Sequence, residues 1–353
     1  MVNLMNVVTL TGSEGALGKR VVELLKNEPE ISRIVALDRV RLAKGTDPRV
    51  QSHRVDLLNG EIVPLLAGAD TLIHLASVIS PEKPGRGGES AEFQLAERAI
   101  GAAIEAGVNH VVVISSAAVY GAYPTNPVPL TEDAPLKPNP GFAFAEVKAE
   151  IEVLVVELRA KHPEITISVL RPTVTVADDG ASWLGQTLAN VPAVAAGDID
   201  PPEQFLHFDD LAQAVVLAAR KRLNGAFNVA PDGWISPDAM GAFRTIPKPR
   251  VPVWAANSLA WARARVTASA PPPAALPLTI YPWVVANDRL RDAGWEPAFT
   301  NEEAYIASTE PGPFDSISPK RRQELALGVA GGAIVATGVG VAALVRRQLG
   351  RRK

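Results

Sequence analysis

"VVTLTGSEGALG", residues 7–18, decides the fold. A short apolar, β-branched run leads into Gly12, Gly15 and Gly18 at three-residue spacing, and a helical pattern follows. In a strand–turn–helix of this kind the first glycine permits the tight turn. The second lets a pyrophosphate approach the backbone, and the third lets the helix pack on the strand. The helix N-terminus then faces the phosphates. An ordinary glycine turn is the alternative. Asp38 ends the next expected strand, twenty residues after Gly18. A carboxylate there accepts both ribose hydroxyls of NAD and repels the extra phosphate of NADP. NAD is therefore the expected cofactor. Arg39 leaves NADP open, and a solvated loop aspartate is the plain reading.

Outward from this stretch, apolar runs at 6–10, 33–38, 71–76, 110–116 and 166–172 read as strands. Helical patterns lie at 16–27, 90–106 and 143–161. Alternating β and α elements imply an α/β fold, a Rossmann-type doubly wound parallel sheet with helices on both faces. Residues 1–172 are the expected NAD-binding domain, with 205–230 ("FNVAP" at 227–231 as a strand) returning to it. Residues 173–204 and 231–309 are the expected smaller C-terminal substrate region, and all six tryptophans lie beyond residue 182. Three prolines and a glycine break up 310–320, so 310–324 reads as a linker.

The chain has 353 residues, 47% hydrophobic and 21% charged, which allows a substantial core. It has no cysteine, which excludes disulfides and thiolate metal sites and fits a reducing compartment. No signal peptide is expected, because the N-terminus lacks a basic region. The net charge of −3 conceals a split: residues from Lys320 onward carry eight basic and one acidic residue, and the remainder carries 27 and 37. The acidic body argues against nucleic acid as a partner.

Further motifs follow in order: "ALDR", "VDLL" with Asp56, "DTLIHLAS" with His74, "ISSAAVYG" with Ser116 and Tyr120, and "FAEVK" with Lys148. "VLRPTV", "QFLHFDDLAQAV", "GAFNVAP" and "NDRLRDAGWEP" complete the series. Together they resemble the extended short-chain dehydrogenase/reductases, the NAD-dependent epimerase/dehydratase family, from about residue 5 to 308. The resemblance implies that Gly12, Gly15, Ala16, Leu17 and Gly18 hold the pyrophosphate. It implies that Asp56 and Leu57 hold the adenine edge, and that Leu75 and Ala76 line the cofactor groove. Ser116 matches the catalytic serine, and Lys148 the lysine that binds the nicotinamide ribose. A homodimer through two helices per subunit is also implied.

Phe144 stands where the family has its proton-transferring tyrosine. Four residues separate it from Lys148, so the two share a helix face. Phenylalanine can neither take nor give a proton, and a general acid–base group is typically worth about 10²–10⁴ in rate. No tyrosine lies between 124 and 280, so the phenol is absent rather than displaced. Two readings follow: an NAD-dependent oxidoreductase with a substitute proton relay, and an NAD-binding protein without turnover that senses redox state or serves as a scaffold. As plain structural residues, Lys148 would snorkel on a surface helix and Ser116 would end a strand.

Phosphate clamps use arginine forks, and no Lys or Arg lies between Arg171 and Arg220. A nucleotide sugar is therefore less favoured than a hydrophobic alcohol or ketone, although Arg244, Arg250, Arg263 and Arg265 keep a clamp open. Trp254 and Trp261 share a face of an expected helix at 253–266. With Trp183 and Trp283 they are expected to line an apolar pocket or to fill the core of a cap. His207, Asp209 and Asp210 ("HFDD", 207–210) resemble a metal cluster, but Asp209 or Asp210 reads better as a helix N-cap.

Residues 325–345 are uncharged. At 1.5 Å per residue they would span about 31 Å, close to the thickness of a bilayer's hydrocarbon core. "RR" precedes them and the basic tail 346–353 follows. Gly328 and Gly332 allow close helix contact in lipid. A membrane-spanning helix is expected, with the catalytic domain on the cytoplasmic side of the cytoplasmic membrane. Export of five positive charges opposes that orientation. An interfacial helix on anionic lipid and a helix buried against the protein are the competing pictures.

Overall fold

The computed structural model describes residues 6–40, 47–77, 90–177, 180–191, 195–196, 200–243, 250–267 and 270–308. The expected linker, the uncharged run 325–345 and the basic tail lie outside them. Among the described residues, no helix is long and apolar enough to cross a membrane.

Six strands build most of the main sheet: β1 Val7–Thr11, β2 Arg33–Asp38, β3 Val50–Arg54, β4 Thr71–His74, β5 His110–Ile114 and β6 Thr166–Pro172. The short strands β7 Val174–Ala177, β8 Gly180–Ala181, β9 Ala195–Ala196 and β10 Phe205–His207 come next, then β11 Gly225–Val229 and β12 Arg250–Val251. The main sheet runs β11-β6-β5-β4-β1-β2-β3 and every pairing in it is parallel. Strand order reverses between β1 and β4, the place where doubly wound sheets open a ligand crevice. β11 lies beside β6 in this sheet.

The helices are α1 Ala16–Lys26, α2 Ala91–Glu105, α3 Ala143–Lys161, α4 Trp183–Ala189 and α5 Phe208–Lys221. After them come α6 Pro237–Phe243, α7 Val253–Val266, α8 Asp288–Asp292 and α9 Asn301–Ala307. Period-two alternation sorts the sheet's side chains. Leu10, Ile34, Ile73, Val112 and Leu170 face α1 and α5 in one core layer. Leu72, Val111, Val113, Ile167 and Val169 face α2 and α3 in the other. A third core joins the 3₁₀ turn Ala117–Tyr120 to the C-terminal region through Phe142, Leu184, Leu276 and Trp283.

Two histidines are locked inside the sheet. Burial lowers the pKa of both His74 and His110 to about 4. The unfolded chain, with histidines near 6.5, binds protons over an interval in which the folded chain does not. Stability therefore falls as pH drops from about 6.5 toward 4, and these two groups contribute no slope above that interval. Urea unfolding at pH 7.5 and pH 5 checks this, with the lower midpoint expected at pH 5.

Candidate active site

The glycine turn is built for close approach. Gly12 has φ +74°, and a Cβ there would lie 2.6 Å from the Ala76 nitrogen and 2.8 Å from the Leu75 carbonyl carbon. A Cβ on Gly18 would lie 2.1 Å from the Gly12 oxygen. Gly12 and Gly18 are thus required by the protein's own backbone, which brings the turn against the exit of β4. At Gly15 the nearest atom to a Cβ is the Gly12 oxygen at 3.4 Å, ordinary contact, so its outer side is open. Ser13 Oγ is buried with no hydrogen-bond partner among the described residues. That orphan hydroxyl sits where a phosphate would be cradled.

Asp38 ends β2 beside this turn. Its Oδ2 accepts the Glu14 N–H at 2.9 Å and its Oδ1 the Val40 N–H at 3.2 Å. The turn and the carboxylate together fit a dinucleotide with free ribose hydroxyls, and Ala16 and Leu17 open α1 at the phosphate end. Asp56 accepts from the Leu58 N–H and from Asn59 Nδ2, both at 3.0 Å. Those bonds, the Asn59 one first, hold its carboxyl below the usual range. Leu57 gives its side chain to the core and its carbonyl to Arg98 Nε at 2.9 Å. Only its backbone N–H is left to offer a ligand.

Substituting Gly12 by alanine is expected to lower the stability of the fold by about 1–3 kcal/mol, since the Cβ would strain the turn against Leu75 and Ala76 with or without NAD. Urea unfolding of the variant checks this, and an unchanged midpoint would contradict the close approach.

A cavity of about 170 Å³ continues from the turn along the carboxyl ends of β4 and β5. Leu17, Leu75, Ala76, Ser116, Phe144 and Lys148 all line it, so the structure brings these sequence-predicted residues together. Ser116 is buried, and its Oγ accepts the Ala118 N–H at 3.2 Å, capping the 3₁₀ turn. Lys148 is no surface lysine. Its Nζ donates to Glu92 Oε1 at 2.6 Å and to the Ile114 carbonyl at 3.0 Å, and both ion-pair side chains are buried. Ser77 Oγ donates to both Glu92 oxygens at 3.0 Å.

Phe144 completes an aromatic wall, its ring centroid 5.0 Å from Trp183 and 5.8 Å from Phe142. Tyr120, on the 3₁₀ turn, does not line this cavity. Its hydroxyl donates to Asn228 Oδ1 at 2.7 Å and accepts from Arg171 Nη1 at 2.6 Å. Burial pushes its pKa up to about 12, so it stays protonated at neutral pH. Tyr123 donates to the Pro138 carbonyl.

Glu92 and Ser77 were not legible as site residues. Glu92 looks like an ordinary acid in the first turn of a helix. Only the packing of α2 against α3 sets it against Lys148.

A second cavity, about 490 Å³, adjoins the first, with Thr173 lining both. The Thr173 hydroxyl has no hydrogen-bond partner among the described residues. Phe205, Met240, Leu278, Trp283 and Tyr305 give it apolar walls. Among its described lining residues there is no Lys or Arg, and Glu203 is the one charged residue.

Two expectations need correction. Trp183 and Trp283 do line the cavities, but Trp254 and Trp261 are 72% and 59% exposed and line neither. Small Ala256 and Ala260 occupy the inward face of α7 instead. The N-cap of α5 is His207, whose Nδ1 accepts the Asp209 N–H at 3.2 Å, rather than Asp209 or Asp210. Asp210 spends its carboxylate on the N–H groups of Ala298 and Phe299. His207 stacks on Phe299 at 3.9 Å.

The profile of the NAD dependent epimerase/dehydratase family matches residues 8–230. An uncharacterized protein of Mycobacterium tuberculosis (strain H37Rv) is 29% identical over 313 residues, covering 85% of this chain and 82% of its own. The UDP-glucose 4-epimerase of Bacillus subtilis is 27% identical over 293 residues, covering 69% and 83%. A ketoreductase of Stigmatella aurantiaca, which acts on 4-hydroxy-2-methyl-3-oxo-4-farnesyl-3,4-dihydroquinoline-1-oxide, is 24% identical over 253 residues, covering 67% and 71%. Among solved structures, the Thermus thermophilus UDP-glucose 4-epimerase complex with NAD superposes with TM-score 0.61 at 20% identity, covering 88% of this chain and 100% of that one.

Proposed function

The chain belongs to the NAD-dependent epimerase/dehydratase family, and from that premise we propose an NAD-dependent oxidoreductase that interconverts a hydrophobic ketone and its alcohol. The observation that carries the substrate class is the larger cavity. A nucleotide diphosphate needs cationic partners, and the described lining offers one carboxylate and apolar walls. An uncharged, largely apolar molecule with one carbonyl suits it. The farnesylated substrate of the Stigmatella relative is of that kind. A sugar substrate, as in the epimerase relative, is the competing choice within the same chemistry.

NAD, when bound, supplies or accepts the hydride. The glycine turn, Ala16 and Leu17 hold its pyrophosphate, Asp38 its adenosine ribose, and Asp56 with the Leu57 N–H its adenine edge. Leu75 and Ala76 line the groove. An ammonium has three donors. Two of those on Lys148 are committed to Glu92 and Ile114, and the third serves the nicotinamide ribose or a relaying water. Ser116 accepts through its oxygen and keeps its hydrogen for the substrate oxygen. In reduction the substrate oxygen receives its proton through water and Lys148, and in oxidation it returns the proton by the same path, because Phe144 carries none.

The non-catalytic alternative, an NAD-binding sensor or scaffold, is favoured by one observation: Phe144 is packed into an aromatic wall. NADH-dependent reduction of a panel of long-chain and prenyl ketones, with epimerisation of UDP-glucose followed in a separate assay, separates the readings. Ketone reduction is expected. Turnover of UDP-glucose alone would overturn the substrate class, and NAD binding without any turnover would leave the sensor.

The proposal includes attachment to the cytoplasmic membrane through 325–345 and the basic tail, with the catalytic domain on the cytoplasmic side. A homodimer through α2 and α3 is supported by Val153 and Val156, both exposed on α3.

A further inference from the structure

The helix α7 turns its large residues outward. Trp254 is 72% exposed, Trp261 59% and Val266 84%, and Leu259 is exposed too. Ala256 and Ala260, four residues apart, are buried. At 3.6 residues per turn, Trp254, Ser258, Trp261 and Arg265 fall on one outward stripe, with Leu259 and Val266 along its flank. Arg263 and Arg265 lie in the last turn, and the helix contains no acidic residue. Large rings outside and alanines inside invert the usual order of a soluble helix. Tryptophan with basic residues on an exposed helix suits the headgroup boundary of a bilayer, where the ring is half buried and the guanidinium meets lipid phosphate.

We propose that α7 lays Trp254 and Trp261 into an anionic lipid surface, so that the catalytic domain rests on the membrane. Charge complementarity supports the occupant, since the rest of the body is acidic and would otherwise be repelled. The path of the chain supports it as well. Ser308, the last described residue, lines the larger cavity with Leu278 and Thr279. Those two residues belong to the 3₁₀ turn Pro273–Thr279, on which α7 packs. The described residues therefore end, at Ser308, in the same region of the molecule that carries α7. A lipid-soluble ketone would then meet the protein one packing layer from the apolar cavity. The inference rests on the membrane reading above and adds a second, separate contact.

The test uses the full-length protein. The chain has no cysteine, so Ser258→Cys accepts a single nitroxide. Glu30→Cys, exposed in the turn between α1 and β2, is the control. Both are mixed with phosphatidylglycerol-containing vesicles, and collision with oxygen is compared with collision with a water-soluble nickel chelate. The ratio is expected to rise severalfold at 258 and to stay unchanged at 30. The Trp254→Ser/Trp261→Ser variant is expected to abolish the rise. Vesicle-bound protein with an aqueous label at 258 would overturn the role of α7 and leave attachment by the tail standing. Failure to bind vesicles at all would overturn both. A label shielded at 258 before vesicles are added would assign the face to the chain itself or to a second copy, and would likewise overturn the proposal.

Discussion

Glu152→Ala is expected to lower the stability of the protein by about 3–5 kcal/mol, the usual cost of stranding one member of a buried ion pair. The Arg171 and Glu152 side chains are 7% and 5% exposed. Arg171 Nη2 donates to Glu152 Oε2 at 2.5 Å, and its Nε reaches both oxygens at 3.0 and 3.1 Å. Ser115 Oγ donates to the same carboxylate, and Arg171 Nη1 continues to Tyr120. Removing the carboxylate leaves a buried guanidinium and a hydroxyl without their acceptor, and it unties α3 from β6. At about 2–4 °C per kcal/mol the melting temperature should fall by roughly 6–20 °C. Urea unfolding of the variant checks this, and a loss below about 1 kcal/mol would show the network to be dispensable.

Phe144→Tyr is expected to raise the rate of ketone reduction by about 10²–10⁴, the usual contribution of a placed general acid. Residue 144 already lines the cavity with Ser116 and Lys148, so a hydroxyl on its ring enters a prepared site. The nearby ammonium should draw the new phenol's pKa below its ordinary value of about 10. The variant should therefore acquire a pH dependence that the parent lacks. Single-turnover kinetics with NADH reads both effects. An unchanged rate would mean that the remaining groups are not arranged around a reacting oxygen.

Much of this was legible in the sequence, for identifiable reasons. β2 and β6 match their apolar runs end to end because buried parallel strands need uninterrupted β-branched residues. The glycine turn was legible because backbone contact tolerates no Cβ there. β3, "VQSHR", escaped notice because it is an edge strand with one apolar residue in five and mostly polar, part-exposed side chains. Periodicity placed α7 at 253–266 and put its tryptophans on one face. It cannot say which face points inward, and here two alanines do. Glu92 shows a different limit. A residue that becomes functional only by meeting Lys148, 56 positions away, leaves no local signal.

The glycine turn and Asp38 are proposed to hold NAD, with Phe144 where the family resemblance implies a tyrosine. Calorimetric titration of the full-length protein with NAD, and separately with NADP, tests it most directly. Micromolar binding of NAD and markedly weaker binding of NADP are expected, because the Asp38 carboxylate repels the added phosphate. Tighter binding of NADP, or no binding of either nucleotide, would contradict it.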